Sequence, residues 1–277
     1  MEWLRTRIWY QLLRHLPPLH LNLRTRHGVL KISSRDQVIG RMLFINREFE
    51  YDKIQKTMEI LKKGGRAPSG KIVLDIGGNI GTVSLPLIRE GWFGSAIAIE
   101  PEPRNFNLLR ENIRLNGLHR QIRPLNIALS DQNGTMRLQL SVDNFGDNRI
   151  VIGEAEAGWQ TVDVPVRRLD DVLEEQKIAV EEVGLIWMDI QGHEFHALKG
   201  AESLLTRNVP LLMEFWPFGL MKAKVDKESY VELLRRSFSH FHDLAEVESP
   251  ARPVEEMWRL FEAAPDEPLV TDLLFIR

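Results

Sequence analysis

The stretch Ile72 to Gly81, I-V-L-D-I-G-G-N-I-G, constrains this chain more than any other. Apolar, β-prone Ile72, Val73, Leu74 and Ile76 run into Gly77, Gly78, Asn79 and Gly81, and from Thr82 to Ile88 the apolar residues fall at helical spacing. The pattern predicts a strand, a tight glycine turn and a helix start, the unit in which backbone N–H groups approach a nucleotide closely enough to bond it. Glycine suits such a turn because a side chain would block the approach or forbid a positive φ.

The ligand follows from the position of the acid. Asp75 lies inside the motif, just ahead of the glycines, where a carboxylate repels the pyrophosphate of NAD or FAD. The spacing also fails G-x-G-x-x-G, with Asn79 and Thr82 at the deciding positions. A ligand with an amine and no phosphate fits better, and S-adenosylmethionine is the expectation. The short apolar strand Ser95 to Ile99 ends in Glu100, 25 positions after Asp75, where a carboxylate can accept both ribose hydroxyls of an adenosine.

The remaining composition bounds the class. A chain of 277 residues with 43% hydrophobic content fills one large α/β domain with additions. Its 36 Lys and Arg against 39 Asp and Glu leave a net charge of −3, which argues against a nucleic-acid partner. The absence of cysteine excludes disulfides, thiolate metal sites and a Cys nucleophile. With no uncharged apolar run of membrane-spanning length and no signal-peptide pattern, the expectation is a soluble, cytoplasmic protein.

Residues 1–65 read as a helical cover and lead-in. Met1 to Leu16 is amphipathic, with Trp3, Leu4, Ile8, Leu12 and Leu16 in register, and Pro17 and Pro18 end it. Six Lys or Arg against Glu2 between Met1 and Lys31 leave two readings, a helix packed over the domain or a basic helix in peripheral contact with an anionic membrane. A strand is expected at Val29 to Ile32 and helices at Gln37 to Asn46 and Tyr51 to Leu61. Residues 66–277 then read as the catalytic domain. Past Glu100 and Pro101, a helix ends near Asn116-Gly117, Ile122 to Leu129 reads as a third strand, and Ser130-Asp131 stands at its tip either beside a ligand's adenine or as a β-turn. Thr135 to Ser141 and Thr161 to Val166 read as paired strands around the polar loop Asp143 to Arg149. A helix follows from Leu169 through an acidic N-cap, a helix runs from Lys227 to Phe238, and Phe241 to Leu244 and Leu269 to Ile276 close the sheet as an antiparallel pair. The insert Val247 to Pro268 reads as part of an acceptor pocket or as a surface loop and short helix.

Val183 to Met188 is a buried strand ending in Asp189-Ile190-Gln191-Gly192-His193-Glu194, which sets two carboxylates and an imidazole at the strand's carboxyl end, the ligand edge of an open α/β sheet. A further strand, Pro210 to Phe215, brings Glu214 to the same edge.

These residues together resemble the FkbM-type family of S-adenosylmethionine-dependent methyltransferases. The resemblance rests on V-L-D-I-G-G-N-I-G (73–81), E-P-E-P (100–103), A-L-S-D (128–131), R-L-D-D (168–171), M-D-I-Q-G-H-E (188–194), L-K-G-A (198–201) and L-L-M-E (211–214), and runs in order over roughly residues 35 to 276. It implies a Rossmann-like, doubly wound, mostly parallel sheet. It further implies that Asp75, Gly77, Asn79 and Gly81 hold the methionine part, Glu100 with Pro101 the ribose, and Ser130 and Asp131 the adenine side. Members usually carry a small or neutral residue at the position of His193 and often Glu at that of Gln191, so the local acid–base chemistry here departs from the family's.

Methyl transfer from a sulfonium is an in-line displacement that needs alignment and a dry pocket. An alcohol acceptor must also lose its proton, to a base about 3 Å away or with help from a divalent metal. Asp189, Glu194, His193 and Glu214 are the candidate catalytic residues, Asp189 first because it closes the central strand. Asp189, Glu194 and Glu214 could alternatively form an oxygen-rich Mg²⁺ or Mn²⁺ site. The expected acceptor is a hydroxyl of a sugar, glycan or natural product, by resemblance. An NAD-type oxidoreductase and a non-catalytic nucleotide-binding or membrane-surface module are the rival readings.

Overall fold

The computed structural model describes residues 1–13, 15–155, 158–262 and 269–277. The chain begins with helix α1 (Glu2–Ile8) and a π-helical turn at Trp9–Leu13, then the hairpin β1 (His20–Thr25) and β2 (Gly28–Ser33) and helices α2 (Ile39–Asn46) and α3 (Tyr51–Lys63). The glycine motif follows as β3 (Ile72–Ile76) and α4 (Ser84–Arg89), then β4 (Ser95–Ile99), α5 (Pro103–Leu115) and β5 (Ile122–Leu125). A small sheet comes next, from β6 (Ala128–Leu129), β7 (Gly134–Leu140), β8 (Arg149–Ile150) and β9 (Gln160–Arg167). The rest is α6 (Leu169–Gln176), β10 (Val183–Met188), α7 (Glu194–Lys199), α8 (Glu202–Leu205), β11 (Leu211–Phe215), α9 (Pro217–Lys222), α10 (Lys227–Ser237), β12 (His240–Asp243), β13 (Arg252–Pro253), α11 (Met257–Glu262) and β14 (Thr271–Ile276).

The main sheet has eight strands in the order β13-β12-β14-β11-β10-β3-β4-β5. Strands β5, β4, β3, β10 and β11 run parallel, and β14 pairs antiparallel with both β11 and β12. This is the doubly wound sheet with an antiparallel end that the sequence predicts. Alternation along each strand loads both faces. Leu74, Ile76, Ile97, Ile99, Ile186, Met188, Met213 and Phe275 pack into one core, and Val73, Ala96, Ala98, Leu185, Trp187, Leu212 and Leu274 into the other. The second core is completed by Leu30 and Ile32 of β2, Leu43 of α2, and Ile54, Met58 and Leu61 of α3, so the stretch from β2 to α3 is built into the domain.

Three expectations need correction. The stretch Ile122 to Leu129 is two strands in two sheets, because Asn126 turns the chain, its Nδ2 donating to the Glu100 and Pro101 carbonyls (2.8 and 3.0 Å). Thr135 to Ser141 and Thr161 to Val166 pair as expected, as β7 and β9 of a second sheet with the order β6-β9-β7-β8. Arg168 is the N-cap of α6, while Asp170 accepts from Ser203 N–H (3.2 Å). Of the insert 247–268, Val254, Met257 and Phe261 are buried in the first core and residues 263–268 lie outside the described ones.

Candidate active site

The tips of β3 and β10 lie side by side, Ile76 paired with Met188. Chain order reverses there, with β4 and β5 laid down on one side and β10 and β11 on the other, the place where open α/β sheets take ligands. The Asp189 N–H donates to the Ile76 carbonyl (2.9 Å), and a Cβ on Gly77 would stand 1.9 Å from the Asp189 carbonyl oxygen. Gly77, at φ +88°, is therefore required by the neighbouring strand tip as well as by any ligand. Gly81 (φ +94°) is required by Leu85 of α4, whose Cδ1 would meet its Cβ at 2.3 Å, and does not line the cleft.

Asp75 is turned away from the cleft. It is buried behind the glycine turn, where its Oδ2 accepts the Ser84 N–H (3.0 Å) at the start of α4, and burial pushes its carboxyl up to about 6. Glu100, at the tip of β4, is buried but lines the cleft. Its Oε2 accepts the Asn79 N–H (2.9 Å) and its Oε1 the Glu102 N–H (2.9 Å), leaving one acceptor site on each oxygen. Burial, with the Glu102 charge close by, pushes Glu100 up to about 8. Gly77, Asn79 and Pro101 share this wall.

The opposite wall is the loop Asp143 to Arg149 between β7 and β8. The Phe145 carbonyl accepts from Asn79 Nδ2 (3.0 Å), Asn105 Nδ2 (2.7 Å) and Asn148 Nδ2 (2.9 Å), which ties the loop to the glycine turn and to α5. The cleft between the walls measures about 870 Å³, counted with its part open to solvent, and Ile127, Leu138, Phe145 and Ile150 make one end of it apolar.

Of the four candidate catalytic residues, Asp189 and His193 line this cleft. The Asp189 carboxylate accepts Gln191 Nε2 at 2.7 Å, and the same nitrogen donates to Glu214 Oε2 at 3.0 Å. Burial raises Asp189 above the usual carboxylate range, although Lys53 pulls it down. Glu214 is pushed up to about 10, first by burial and then by the Asp189, Glu194 and Asp272 charges. Lys53 sits between Glu50 (2.7 Å) and Asp272 (2.7 Å). Glu194 faces backbone instead, its Oε1 accepting the Ile190 (3.1 Å) and Gly192 (3.2 Å) N–H groups, so it holds the strand-tip turn. Asp189 and Glu214 thus share the Gln191 amide while Glu194 turns to backbone, and among the described residues no group of three or more His, Asp or Glu is arranged to hold a metal ion.

His193 is buried, and burial pushes it down to about 3, so its ring is neutral. Its Nε2 lies 3.0 Å from Ser130 Oγ, which in turn donates to Asp131 Oδ1 (3.3 Å), an arrangement that puts the proton on Nε2 and leaves Nδ1 bare. Nδ1 is buried with no partner in the protein. Ser130 and Asp131 stand behind His193 and do not line the cleft; Asp131 is paired with Lys199 (3.0 Å). His193 also lines an adjoining cleft with Arg149, Ile152, Trp216 and Lys222, and the Arg149 guanidinium lies 4.4 Å from the Trp216 ring.

Sequence reasoning missed Phe49 and Glu50, which line the cleft, and Lys53, which pairs with Glu50. Gln191 lay inside a recognised motif and Phe145 inside a recognised loop, so both carried a signal; Lys53 carried none.

The Methyltransferase FkbM domain matches residues 75–244, more than half of the chain and the whole span from Asp75 to Glu214. The protein is a member of the FkbM methyltransferase family. Among its relatives, methyltransferase sdnD of Sordaria araneosa is 29% identical over 182 residues, 55% of this chain and 70% of sdnD. The 2-O-methyltransferase NoeI of Sinorhizobium fredii is 28% identical over 177 residues, 59% of this chain and 70% of NoeI. The crystal structure of methyltransferase FkbM from Methylobacillus flagellatus KT aligns with a TM-score of 0.45 at 20% identity, over 75% of this chain and 44% of that one, so this chain spans less than half of it.

Proposed function

We propose that this FkbM-family methyltransferase takes its methyl group from S-adenosylmethionine and places it on a hydroxyl oxygen. The observation that carries the reading is the pairing, on one cleft, of the Glu100 carboxylate at the β4 tip with Asp189 at the β10 tip. The cofactor fits the residues present. Glu100 keeps an acceptor site on each oxygen for a ribose diol, and the apolar end around Phe145 and Ile150 suits an adenine. Among the described residues that line the cleft none is Lys or Arg, which leaves a pyrophosphate without a cationic partner and suits a sulfonium and an amine better. Asp75 acts in this reading through α4, by holding the start of that helix against the turn.

When bound, the cofactor supplies an electrophilic methyl group for in-line displacement. Asp189 accepts the proton leaving the acceptor hydroxyl, and Gln191 holds its carboxylate in place. His193 lines both clefts, and in this reading its bare Nδ1 accepts a hydrogen bond from a second donor on the same acceptor, which occupies the adjoining cleft beside Arg149 and Trp216. The reacting hydroxyl's single hydrogen goes to Asp189, so the hydrogen that Nδ1 accepts comes from a second donor on the acceptor.

Two measurements test this. Calorimetry with S-adenosylmethionine and with NADH should give heat for the first alone; the reverse overturns the assignment. Radiolabelled S-adenosylmethionine with a cell extract should label a metabolite whose new methyl, by mass spectrometry, sits on oxygen. A nitrogen- or carbon-linked methyl overturns the oxygen acceptor, and an unlabelled extract favours a binding-only module.

A further inference from the structure

The N-terminal segment is anchored by few side chains. Trp9 packs on Phe44 (5.4 Å between ring centroids) with its Nε1 donating to Gln37 Oε1 (3.1 Å), and Leu13 is buried beside it. Helix α1 buries none of its residues. Trp3 is 70% exposed, Leu4 53% and Leu12 51%, and Tyr10, Leu16 and Leu19 continue the exposed apolar series. Scattered exposed leucines are ordinary, but this many large apolar side chains in one short segment make a binding surface.

Charge indicates what the surface meets. Residues 1–19 carry Arg5, Arg7 and Arg14 against the single acid Glu2, in a chain whose net charge is −3. Arg7 lies 5.6 Å from the Trp3 ring and Arg41 5.9 Å from the Tyr10 ring, so both exposed rings carry a guanidinium beside them. Indole and phenol rings with arginines alongside suit the boundary between acyl chains and phosphate headgroups, where the ring enters the interface and the cation stays with the anionic lipid.

We infer that the segment Met1 to Leu19 is a docking surface for an anionic membrane, with Trp3, Leu4 and Leu12 entering the interface and the neighbouring arginines meeting lipid phosphates. The segment is fixed to α2 through Trp9 and Phe44, and the first residue of α2, Ile39, lines the cleft, so docking holds the active site one helix away from the bilayer. The surface is independent of which acceptor the enzyme takes.

The test uses the full chain and co-sedimentation with vesicles of phosphatidylcholine alone or mixed with phosphatidylglycerol. The expected result is about tenfold more bound protein on the anionic vesicles, declining as salt is raised. The Trp3→Ser/Leu12→Ser double variant, altered at exposed positions, should lose about tenfold of that binding while its melting temperature and its affinity for adenosylhomocysteine stay unchanged. Arg7→Glu gives a second variant with the same expected loss. Equal binding to both vesicle types, no binding, or binding untouched by both variants overturns the inference. So does a dimer on size-exclusion chromatography that the double variant converts to monomer, because a second copy then covers the surface.

Discussion

The carbonyl oxygen of Asp189 occupies the space that a Cβ on Gly77 would need. At 1.9 Å the conflict is with backbone, which has no rotamer to escape into, and it lies where β3 and β10 meet at the reversal of strand order. One contact therefore links the glycine turn to the strand tip that carries the proposed base.

Gly77→Ala should destabilise the fold by roughly 2–4 kcal/mol, since it adds a backbone clash to a left-handed φ. Gly91→Ala is the matched comparison, because Gly91 is also left-handed (φ +73°) but has open space around it, and it should cost only about 1 kcal/mol. Urea unfolding of both variants checks this; equal losses would mean that φ alone matters.

Glu100 titrates at about 8 in the folded chain, above its ordinary 4.5, because burial disfavours the charge. The folded state therefore holds the proton more tightly than the unfolded state, and this group's contribution to stability falls as pH rises between those values. Binding runs the other way, since ribose hydroxyls donate best to an ionised carboxylate. Affinity for adenosylhomocysteine should rise as pH goes from about 6.5 to about 8.5 and be weaker and nearly flat in Glu100→Gln, read by calorimetry. A pH-independent wild-type affinity would contradict the ribose assignment.

Asp189→Asn should lower methyl incorporation by about 10²-fold or more with cofactor affinity nearly unchanged, because the amide keeps the contact with Gln191 but cannot take a proton. His193→Ala should mainly raise the acceptor KM, as it removes one hydrogen bond from the acceptor and leaves Asp189 in place. Wild-type turnover in Asp189→Asn would move the base elsewhere, with His193 the next residue on the cleft.

His27 is buried in the β1–β2 turn. Its Nδ1 donates to the Thr82 carbonyl (2.7 Å) and its Nε2 accepts the Phe49 N–H (3.0 Å), so it ties the hairpin to the start of α4 and to the cleft wall. Burial pushes it down to about 4, so the neutral ring's contribution is complete above about 6.5 and is lost as pH falls toward 4. His27→Ala should cost roughly 2–3 kcal/mol at neutral pH and progressively less toward pH about 4.5, measured by denaturant unfolding across pH. A pH-independent cost would show that the ring acts by packing alone.

The parts of this protein legible in the sequence are those whose physics is local. The β3 strand, the glycine turn, Glu100 at a strand end and the D-I-Q-G-H-E turn each follow from a few consecutive residues, because apolar period, positive-φ tolerance and strand-end acids are short-range properties. Tertiary packing decided the rest. It put Asp75 behind the turn as the cap of α4, turned Glu194 onto backbone N–H groups, and set Ser130 behind His193 so that Nδ1 is left bare. It also split one apolar run between two sheets and brought Glu50 and Phe145, from distant segments, to the same cleft. Which way a carboxylate faces depends on which donors other segments bring to it, and a linear pattern does not encode that.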